Sequence, residues 1–229
     1  NNLKNRIRYP VILKTSRFGY DGKGQFVVKN FLELNKFWKD LNYAPCIVEK
    51  KIKLKQELSV VCVRDQNKNI FCYPTFRNIH KNHILFETYS PSGINKELEK
   101  KLINISKKII KKLNYIGVLT IEFFIDANNK IYANELAPRV HNSGHITLDN
   151  SDINQFDQHI RAISGMNLID SIELKYGLMR NLIGKEIKLK SKILKEKRYK
   201  TYSKVKIYSY NKNEAKEGRK MGHINFTKQ

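Results

Sequence analysis

The chain has 229 residues, enough to bury a hydrophobic core as one large domain or two modest ones. It carries 44 Lys and Arg against 21 Asp and Glu, a formal net charge of +23. The excess is mostly lysine scattered along the chain, without an arginine-rich block or a binding motif, so we predict no nucleic-acid partner. No apolar run approaches the roughly 20 residues of a membrane-spanning helix and no secretory signal is recognisable, so we predict no membrane partner and a cytoplasmic protein.

The three cysteines, Cys46, Cys62 and Cys72, are unevenly spaced and match no zinc-binding pattern. We therefore expect reduced thiols, in keeping with a cytoplasmic location. None of the three is assigned a chemical role.

The first predicted elements are a strand, a glycine-rich turn and a second strand. Residues 9–15 (YPVILKT) form a short apolar strand that carries Lys14, and 19–25 (GYDGKGQ) leads into a strand over 26–29. Glycines let backbone N–H groups approach phosphate oxygens closely, and lysines beside them add positive charge. The spacing of a Walker loop and its following helix are both missing, so a plain hairpin turn with a surface lysine is an equally good interpretation.

The next segments alternate between helices and strands. Asn30 is a typical helix N-cap, and the apolar residues of 31–41, Trp38 among them, recur at helical spacing and are expected in the core. Strands are predicted over 46–51, 57–64 and 70–74, a basic loop over 77–83, and a long amphipathic helix over 95–113.

A hairpin follows the long helix. It consists of an apolar strand over 118–126, a turn at Asn128 and Asn129, and a returning strand over 130–136. If the turn is centred between the two asparagines, residue 126 lies opposite 131 and Glu122 lies opposite Glu135. Opposed residues of an antiparallel pair have Cβ atoms roughly 5 Å apart, so the two carboxylates would repel each other.

The opposed glutamates have two interpretations. In one, a carboxyl group is protonated or the register is off by one, and no function follows. In the other, a divalent cation lies between them, since Mg²⁺ takes one or two carboxylates and fills its remaining positions with water and phosphate oxygens. The polar residues directly after the hairpin suit an anionic substrate. They are Arg139, His141, Asn142, Ser143 and His145.

The remaining chain is predicted to contain one more amphipathic helix and a β-rich end. In the helix, over 153–164, the spacing of Phe156, Ile160 and Ile163 places them inward. From residue 184 the chain changes to short lysine-rich strands, such as 204–210, which predicts a small β-rich appendage.

Several segments together resemble one protein family. They are, in chain order, YPVILKT, GYDGKGQ, CIVEKKI with QELSVV, RNIHKNHIL, TIEFF, NELAPRVHNSGH and GRKMGHIN. In this order they are similar to the N5-carboxyaminoimidazole ribonucleotide synthetases, ATP-grasp enzymes of purine biosynthesis. The resemblance implies an α+β fold, with the antiparallel sheets and packed helices of the ATP-grasp fold over 1–183. It also implies a glycine-rich lid subdomain at about 1–52 and a small C-terminal β-rich domain over 184–229.

The resemblance implies ATP-dependent carboxylation of 5-aminoimidazole ribonucleotide by bicarbonate, through carboxyphosphate, with ATP and Mg²⁺ as cofactors. It further implies a homodimer in the full-length family and hand-over of the product to N5-carboxyaminoimidazole ribonucleotide mutase. The implied ATP-binding residues are Lys14, Gly19, Tyr20, Asp21, Gly22, Lys23, Gly24, Gln25, Glu49, Lys50, Lys51, Ile52, Glu57, His80, Asn134 and Glu135. The implied magnesium ligands are Glu122 and Glu135. The implied substrate-binding residues are Tyr20, Asp21, Arg139, His141, Asn142, Ser143, Lys212 and Arg219, of which Asp21, Arg139 and His141 are catalytic.

The sequence departs from the family pattern at two places. The family usually has Arg-Pro before the Gly-Arg-Lys of the terminal turn, where this chain has Lys216-Glu217, which loosens the turn although Arg219 is kept. The family also carries an N-terminal nucleotide-fold domain without a counterpart here, so we expect this chain to correspond to the C-terminal two-thirds of the enzyme. Two other functions stay open. One is another ATP-grasp carboxylate-amine ligase, such as the formate-using glycinamide ribonucleotide transformylase, and the other is a non-catalytic basic module that binds polyanions.

Overall fold

The computed structural model describes residues 7–17, 19 and 24–228. The chain divides into two compact units, a small unit of Asn1–Lys53 with Asn82–Ile84 and a large unit of Leu54–Lys81 with Leu85–Gln229. Each unit has its own antiparallel sheet and its own hydrophobic core. The predicted α+β class is confirmed.

The small unit is a three-stranded antiparallel sheet with one helix. Its strands are β1 (Val11–Thr15), β2 (Gln25–Val28) and β3 (Cys46–Lys50), in the order β2-β1-β3, and its helix is α1 (Phe31–Asp40). Asn30 caps α1 by accepting a hydrogen bond from the N–H of Glu33 at 2.9 Å, as predicted. Leu34 packs with Val11 and Leu13 in the core of this unit.

Trp38 was expected in the core but lies on the surface of α1, 42% exposed. Its indole N–H donates to the carbonyl of Ala44 at 3.0 Å, and its ring packs edge-on against Tyr43. The side chain therefore covers the turn that follows the helix, where its one polar atom finds a partner.

The large unit is built on one nine-stranded sheet. Its strands are β4 (Leu54–Arg64), β5 (Ile70–Cys72), β6 (Phe76–Lys81), β7 (Ile84–Ser90), β8 (Gly117–Asp126), β9 (Ile131–Ala137), β10 (Gly177–Ile183), β11 (Lys204–Ser209) and β12 (Lys220–Thr227). The order is β11-β12-β10-β7-β6-β4-β8-β9, with β5 paired to β4. The helices are α2 (Lys96–Lys112), α3 (Thr147–Asn150), α4 (Gln155–Ile163) and α5 (Lys190–Leu194), and short 3-10 helices lie at Asn142–Ile146, Gly184–Leu189 and Lys197–Tyr199.

The C-terminal strands β11 and β12 belong to the same sheet as the rest of the large unit, through β10. The predicted domain boundaries, 1–183 and 184–229, stay a prediction. Within the part of the chain that the structure describes, no helix has the length and apolar character needed to cross a membrane.

Strand β4 is buried along most of its length because elements pack on both sides of it. Leu58 and Val60 face a core shared with α2, whereas Val61 faces a second core that includes residues of α4. Successive side chains of a strand alternate between the two faces, so Glu57 and Ser59 lie on the same side as Val61.

Helix α4 presents a different face to the core from the one predicted. Phe156, Ile160 and Ile163 are exposed, while Gln155 and Gln158 are fully buried. Each buried glutamine bonds to backbone: Gln158, for example, donates to the carbonyl of residue 169 and accepts from its N–H. Because these amides are satisfied inside the fold, the polar side of the helix can face inward.

The predicted basic loop over 77–83 is also wrong, since its first five residues belong to strand β6. Asn78 of β6 lies opposite Glu57 of β4, and Asn82 and His83 have the positive φ angles of a tight turn into β7. The sequence did not predict this strand because one of its buried positions is the polar residue Asn78, which interrupts the apolar alternation typical of a strand.

Two of the three cysteines are paired. Cys62 and Cys72 lie opposite each other on β4 and β5, and they form a disulfide in the structure, so the expectation of three reduced thiols is wrong for them. The connection between the two strands is held by Asp65, whose carboxylate accepts hydrogen bonds from the backbone and side chain of Asn69. Cys46 is a free thiol, and burial raises its pKa.

His223 on β12 is a buried histidine among aromatic rings. The ring of Tyr208 stacks on it at 4.6 Å, and the hydroxyl of Tyr210 lies 2.9 Å from its Nδ1. Burial lowers the pKa of His223 to about 3, with the neighbouring His145 acting in the same direction. The ring is therefore neutral in the folded chain at pH 7.

We predict that acid destabilises the fold through His223. A histidine with a lowered pKa in the folded state contributes stability that is lost as the pH falls below its unfolded value of about 6.5, by at most about 1.4 kcal/mol per pH unit. Urea unfolding at about pH 6.5 and pH 5 should show a smaller loss for His223→Phe, which keeps the stacked ring, than for the parent. His83→Asn, at an exposed turn, is the control, and equal losses in the parent and His223→Phe would contradict the assignment.

Candidate active site

Glu122 of β8 lies directly opposite Glu135 of β9, as predicted. Nearer the turn the register differs from the prediction by one residue, because Ile131 pairs with Ile125 rather than with residue 126. A bulge next to Glu122 inserts Asn134 as an unpaired residue, and this restores the opposition of the two glutamates. The same bulge lets the side chain of Asn134 form a hydrogen bond with Glu122.

Glu122 is mostly buried and lies in a negative environment. Burial raises the pKa of its carboxyl, and the charges of Glu135 and Glu57 raise it further. The charge of His80 and the hydrogen bond from Asn134 act in the opposite direction, but the pKa stays above its ordinary value. A cation bound at this carboxylate would relieve the repulsion.

Glu57 and His80 form an ion pair beside Glu122. Nδ1 of His80 lies 2.5 Å from a carboxylate oxygen of Glu57. Burial lowers the pKa of His80, but the hydrogen bond and charge of Glu57, with the charge of Glu122, outweigh burial and raise it. Glu57 lies opposite Phe124, two residues from Glu122 along β8, so all three polar side chains share one face of the sheet.

The loop after β9 is fixed by a residue that sequence reasoning missed, Gln155 of α4. Its amide accepts a hydrogen bond from the N–H of His141 at 3.0 Å and donates one to the carbonyl of His141 at 2.8 Å. A Cβ atom at Gly144 would overlap this amide, which explains the glycine there. A glutamine beginning an amphipathic helix gives no signal in the sequence, because only the tertiary fold shows that it points inward.

His141 carries a buried, neutral imidazole next to Glu122. Its Nε2 lies 3.4 Å from a carboxylate oxygen of Glu122, and its Nδ1 lies 2.9 Å from the hydroxyl oxygen of Ser143. Burial, and then the charge of Arg139, lowers the pKa of His141 to about 3. A neutral imidazole can donate a hydrogen bond to Glu122 but supplies no positive charge to balance it.

Positive charges of the large unit lie at two places near this face. Arg139 is exposed at the end of β9, and Lys212 and Arg219 are exposed in the connection between β11 and β12. The ammonium group of Lys212 donates to the carbonyl of Lys220 at 2.8 Å. Lys220, which sequence reasoning did not single out, lowers the pKa values of His141 and other nearby histidines through its charge.

The predicted residues Asn142 and Ser143 are less accessible than expected. The hydroxyl of Ser143 is fully buried and bonded to other side chains, and Oδ1 of Asn142 is buried without a hydrogen-bond partner among the described residues. Both residues belong to the 3-10 helix at Asn142–Ile146. Of the two, Ser143 contacts the imidazole of His141.

In the small unit, two predicted nucleotide ligands bind each other. The ammonium group of Lys14 lies 2.6 Å from the carboxylate of Glu49 on the neighbouring strand β3. Gly24 has a φ of +73°, a value that favours glycine, and the amide of Gln25 lies 3.1 Å from Nδ1 of His83. The other predicted residues described in this unit are Gly19, Lys50, Lys51 and Ile52, whereas Tyr20, Asp21, Gly22 and Lys23 lie outside the described residues.

Glu122 and Glu135 are the residues that could hold a metal ion. Within the described ranges, no group of three or more His, Cys, Asp or Glu side chains is arranged to bind a metal by itself. Two opposed carboxylates with an excess of negative charge nevertheless fit Mg²⁺, which binds through one or two carboxylates and takes its other ligands from water and phosphates. Glu122 and Glu135 would therefore supply the protein ligands of a magnesium site.

Two models of known protein families match the chain. The model of the ATP-grasp domain matches residues 1–156, which include both glutamates, and the model of the phosphoribosylaminoimidazole carboxylase C-terminal domain matches residues 177–229. The chain belongs to the ATP-grasp family. The predicted family and ATP-grasp fold are thereby confirmed.

Curated relatives of this ATP-grasp chain are N5-carboxyaminoimidazole ribonucleotide synthases. The chain is 44% identical over 235 residues to that of Bacillus subtilis, covering 100% of this chain and 60% of the relative. It is 42% identical over 218 residues to that of Staphylococcus aureus, covering 94% of this chain and 56% of the relative. The chain thus spans less than two-thirds of the length of these relatives.

Solved structures of ATP-grasp enzymes match over nearly the whole chain. N5-carboxyaminoimidazole synthetase of Staphylococcus aureus, complexed with ADP, superposes with a TM-score of 0.87 at 39% identity, covering 100% of this chain and 60% of that one. The synthase of Aspergillus clavatus, in complex with ADP and 5-aminoimidazole ribonucleotide, superposes with a TM-score of 0.87 at 28% identity, covering 99% of this chain and 60% of that one.

We predict that Glu122→Gln stabilises the metal-free chain. Because the pKa of Glu122 is raised in the folded state, the contribution of this one carboxyl to stability is largest at low pH and is lost as the pH rises through its folded-state pKa, where the buried group must ionise. Glutamine removes the charge and keeps the shape. The melting temperature of Glu122→Gln minus that of the parent, measured in EDTA, should therefore increase between about pH 5 and pH 8.

The control for this measurement is Glu173→Gln, at an exposed carboxylate of the same unit. It should follow the parent at every pH. A difference in melting temperature between Glu122→Gln and the parent that stays constant from about pH 5 to pH 8 would show that ionisation of Glu122 does not cost stability.

Proposed function

We propose that the chain catalyses, or forms the catalytic part of an enzyme for, the ATP-dependent carboxylation of 5-aminoimidazole ribonucleotide with bicarbonate. The products would be N5-carboxyaminoimidazole ribonucleotide, ADP and phosphate, in de novo purine biosynthesis. The observation that carries the proposal is the opposed pair Glu122 and Glu135, in a chain that resembles such synthases along its whole length. Assembly as a homodimer and hand-over of product to the mutase stay predictions.

We propose separate nucleotide-binding tasks for side chains of the large unit and for a side chain of the small unit. Glu122 and Glu135 would hold Mg²⁺, which supplies charge neutralisation for the phosphates when it is bound. Lys14 would exchange its ion pair with Glu49 for a nucleotide phosphate, since a partly exposed pair of this kind contributes little to stability. Glu57 would accept hydrogen bonds from the ribose hydroxyls through the oxygen that does not face His80.

In the proposed reaction, the enzyme acts mainly by positioning the substrates and by stabilising negative charge. Bicarbonate attacks the terminal phosphorus of ATP to form carboxyphosphate and ADP, and the amine of the ribonucleotide then takes the carboxyl group as phosphate leaves. Negative charge gathers on the transferred groups at each step, so fixed cations and hydrogen-bond donors accelerate both. Arg139 would bind the bicarbonate or carboxyphosphate, and Lys212 and Arg219 would bind the ribonucleotide.

The proposed function is tested by measuring ADP release with bicarbonate and 5-aminoimidazole ribonucleotide. The chain is assayed alone and together with the part of the Bacillus subtilis relative that the match leaves out, supplied as a separate polypeptide. We predict ADP release that requires both substrates and Mg²⁺, and a loss of about 100-fold or more in Glu135→Gln, since metal-assisted phosphoryl transfer depends on placing the cation.

The matched control in this assay is Glu173→Gln, which should retain the parent rate. Turnover by Glu135→Gln at the parent rate would refute the metal assignment. Turnover that requires formate or another acid in place of bicarbonate would show that the chain is a different ATP-grasp ligase.

We also predict that Lys14→Met weakens nucleotide binding without unfolding the chain. Methionine keeps the apolar stem of the side chain but cannot bind a phosphate, so the Kd for ADP with Mg²⁺ should rise about tenfold, equivalent to about 1.4 kcal/mol. Calorimetric titration measures the Kd, and a melting curve measures the fold. Lys29→Met, at an exposed position of the same unit, is the control, and equal affinities in all three proteins would contradict the role of Lys14.

A further inference from the structure

A continuous chain of hydrogen bonds, here named the relay, runs through the large unit behind His141. Thr88 Oγ1 donates to Asn78 Oδ1 at 3.0 Å, and Asn78 Nδ2 donates to Ser59 Oγ at 3.0 Å. Ser59 Oγ donates to Ser143 Oγ at 2.9 Å, and Ser143 Oγ lies 2.9 Å from Nδ1 of His141. All five side chains are buried, and strands β7, β6 and β4 and the loop after β9 contribute them.

The direction of the relay is fixed at its His141 end. The backbone N–H of Ser143 also donates to Nδ1 of His141, at 3.3 Å. A backbone N–H can only donate, so Nδ1 must be the unprotonated nitrogen and the ring proton lies on Nε2. The hydroxyl of Ser143 already accepts from Ser59, so its own proton is free to point at the same Nδ1. Nε2 then carries the ring proton and lies 3.4 Å from a carboxylate oxygen of Glu122, a longer separation than that of an ordinary N–H···O hydrogen bond.

We propose that Ser59, Asn78 and Ser143 are positioning residues that hold His141 in its Nε2–H tautomer, so that it donates to one carboxylate oxygen of Glu122. This role rests on the proposed function of Glu122 as a cation ligand. With the N–H of His141 facing one oxygen of Glu122, the other oxygen would be left to bind the cation together with Glu135. Hydrogen-bond partners of this kind orient metal-binding carboxylates, and their loss typically weakens metal binding 10- to 100-fold.

The relay differs from an ordinary set of buried hydroxyl groups. Ser106 in α2 is equally buried, and its hydroxyl is satisfied locally by the carbonyl of Leu102, one turn earlier in the helix. The relay residues instead come from elements distant in sequence, and each is satisfied only because the next is present. The side chains of such a hydrogen-bond network keep their orientations only when every hydrogen bond of the network is formed. Its end at Glu122 connects it to the site.

The first measurement of this proposal is the tautomer of His141, read from nitrogen-15 spectra of histidine-labelled protein. Signals of His141 are assigned by their loss in His141→Asn. The parent should show the Nε2–H tautomer at pH 7. In Ser143→Ala only the longer backbone contact remains, so a mixture of tautomers is expected, and Ser59→Ala should produce a smaller change in the same direction. Ser106→Ala, the matched loss of a buried hydroxyl outside the relay, should leave the spectrum of His141 unchanged.

The second measurement is the concentration of Mg²⁺ needed to support ADP binding by each variant. Ser143→Ala should need about tenfold more Mg²⁺ than the parent, and Ser106→Ala should need the same amount. Melting curves establish that each variant is folded. An unchanged His141 spectrum in folded Ser143→Ala would overturn the relay, and a changed tautomer with an unchanged Mg²⁺ requirement would overturn its positioning role.

These results are separable from the fate of the proposed function. If the parent binds no ADP in the presence of Mg²⁺, the proposed function fails and the positioning role fails with it. The tautomer spectra still decide whether Ser59 and Ser143 fix the imidazole of His141. If the parent binds ADP and the relay variants show the same His141 spectrum and Mg²⁺ requirement as Ser106→Ala, the proposed function stands and the relay is wrong.

Discussion

The large unit is constrained above all by negative charge gathered on one face of its sheet. Glu122, Glu135 and Glu57 lie on neighbouring strands, and burial of Glu122 makes its ionisation costly. The imidazole of His141, which touches Glu122, is neutral and cannot offset this charge. His80, whose pKa is raised, supplies a positive charge when it is protonated, and it lies in contact with Glu57. A bound cation would offset the repulsion between these carboxylates and so stabilise this face of the sheet.

The fold creates this face through its strand register. Strand β4 is covered on both sides, so its alternation places Leu58 in one core and Ser59 under the site. The bulge at Asn134 shifts β9 by one residue, which turns Glu135 to the side of Glu122. Gln155 then fixes the loop that carries His141. Each of these steps is local, yet together they bring acidic, neutral and hydroxyl groups from distant segments into contact.

The sequence predicts the elements with strong periodicity, including α1, α2 and the hairpin, together with the opposition of Glu122 and Glu135. That opposition was predicted from a register that is one residue off near the turn, and the unforeseen bulge at Asn134 brings the two glutamates together. Polar residues inside the fold could not be predicted, because Asn78, Ser59 and Gln155 look like surface residues until their partners are known. For the same reason the apolar stripe of α4 was placed inward, whereas the buried glutamines take that position.

Binding of a divalent cation by Glu122 and Glu135 can be observed by anomalous diffraction from crystals grown with Mn²⁺ and ADP. Mn²⁺ substitutes for Mg²⁺ at oxygen ligands and scatters anomalously. We predict one strong peak within about 2.3 Å of an oxygen from each glutamate, in contact with a phosphate of ADP. A Mn²⁺ peak bound to the nucleotide but distant from both carboxylates would contradict it.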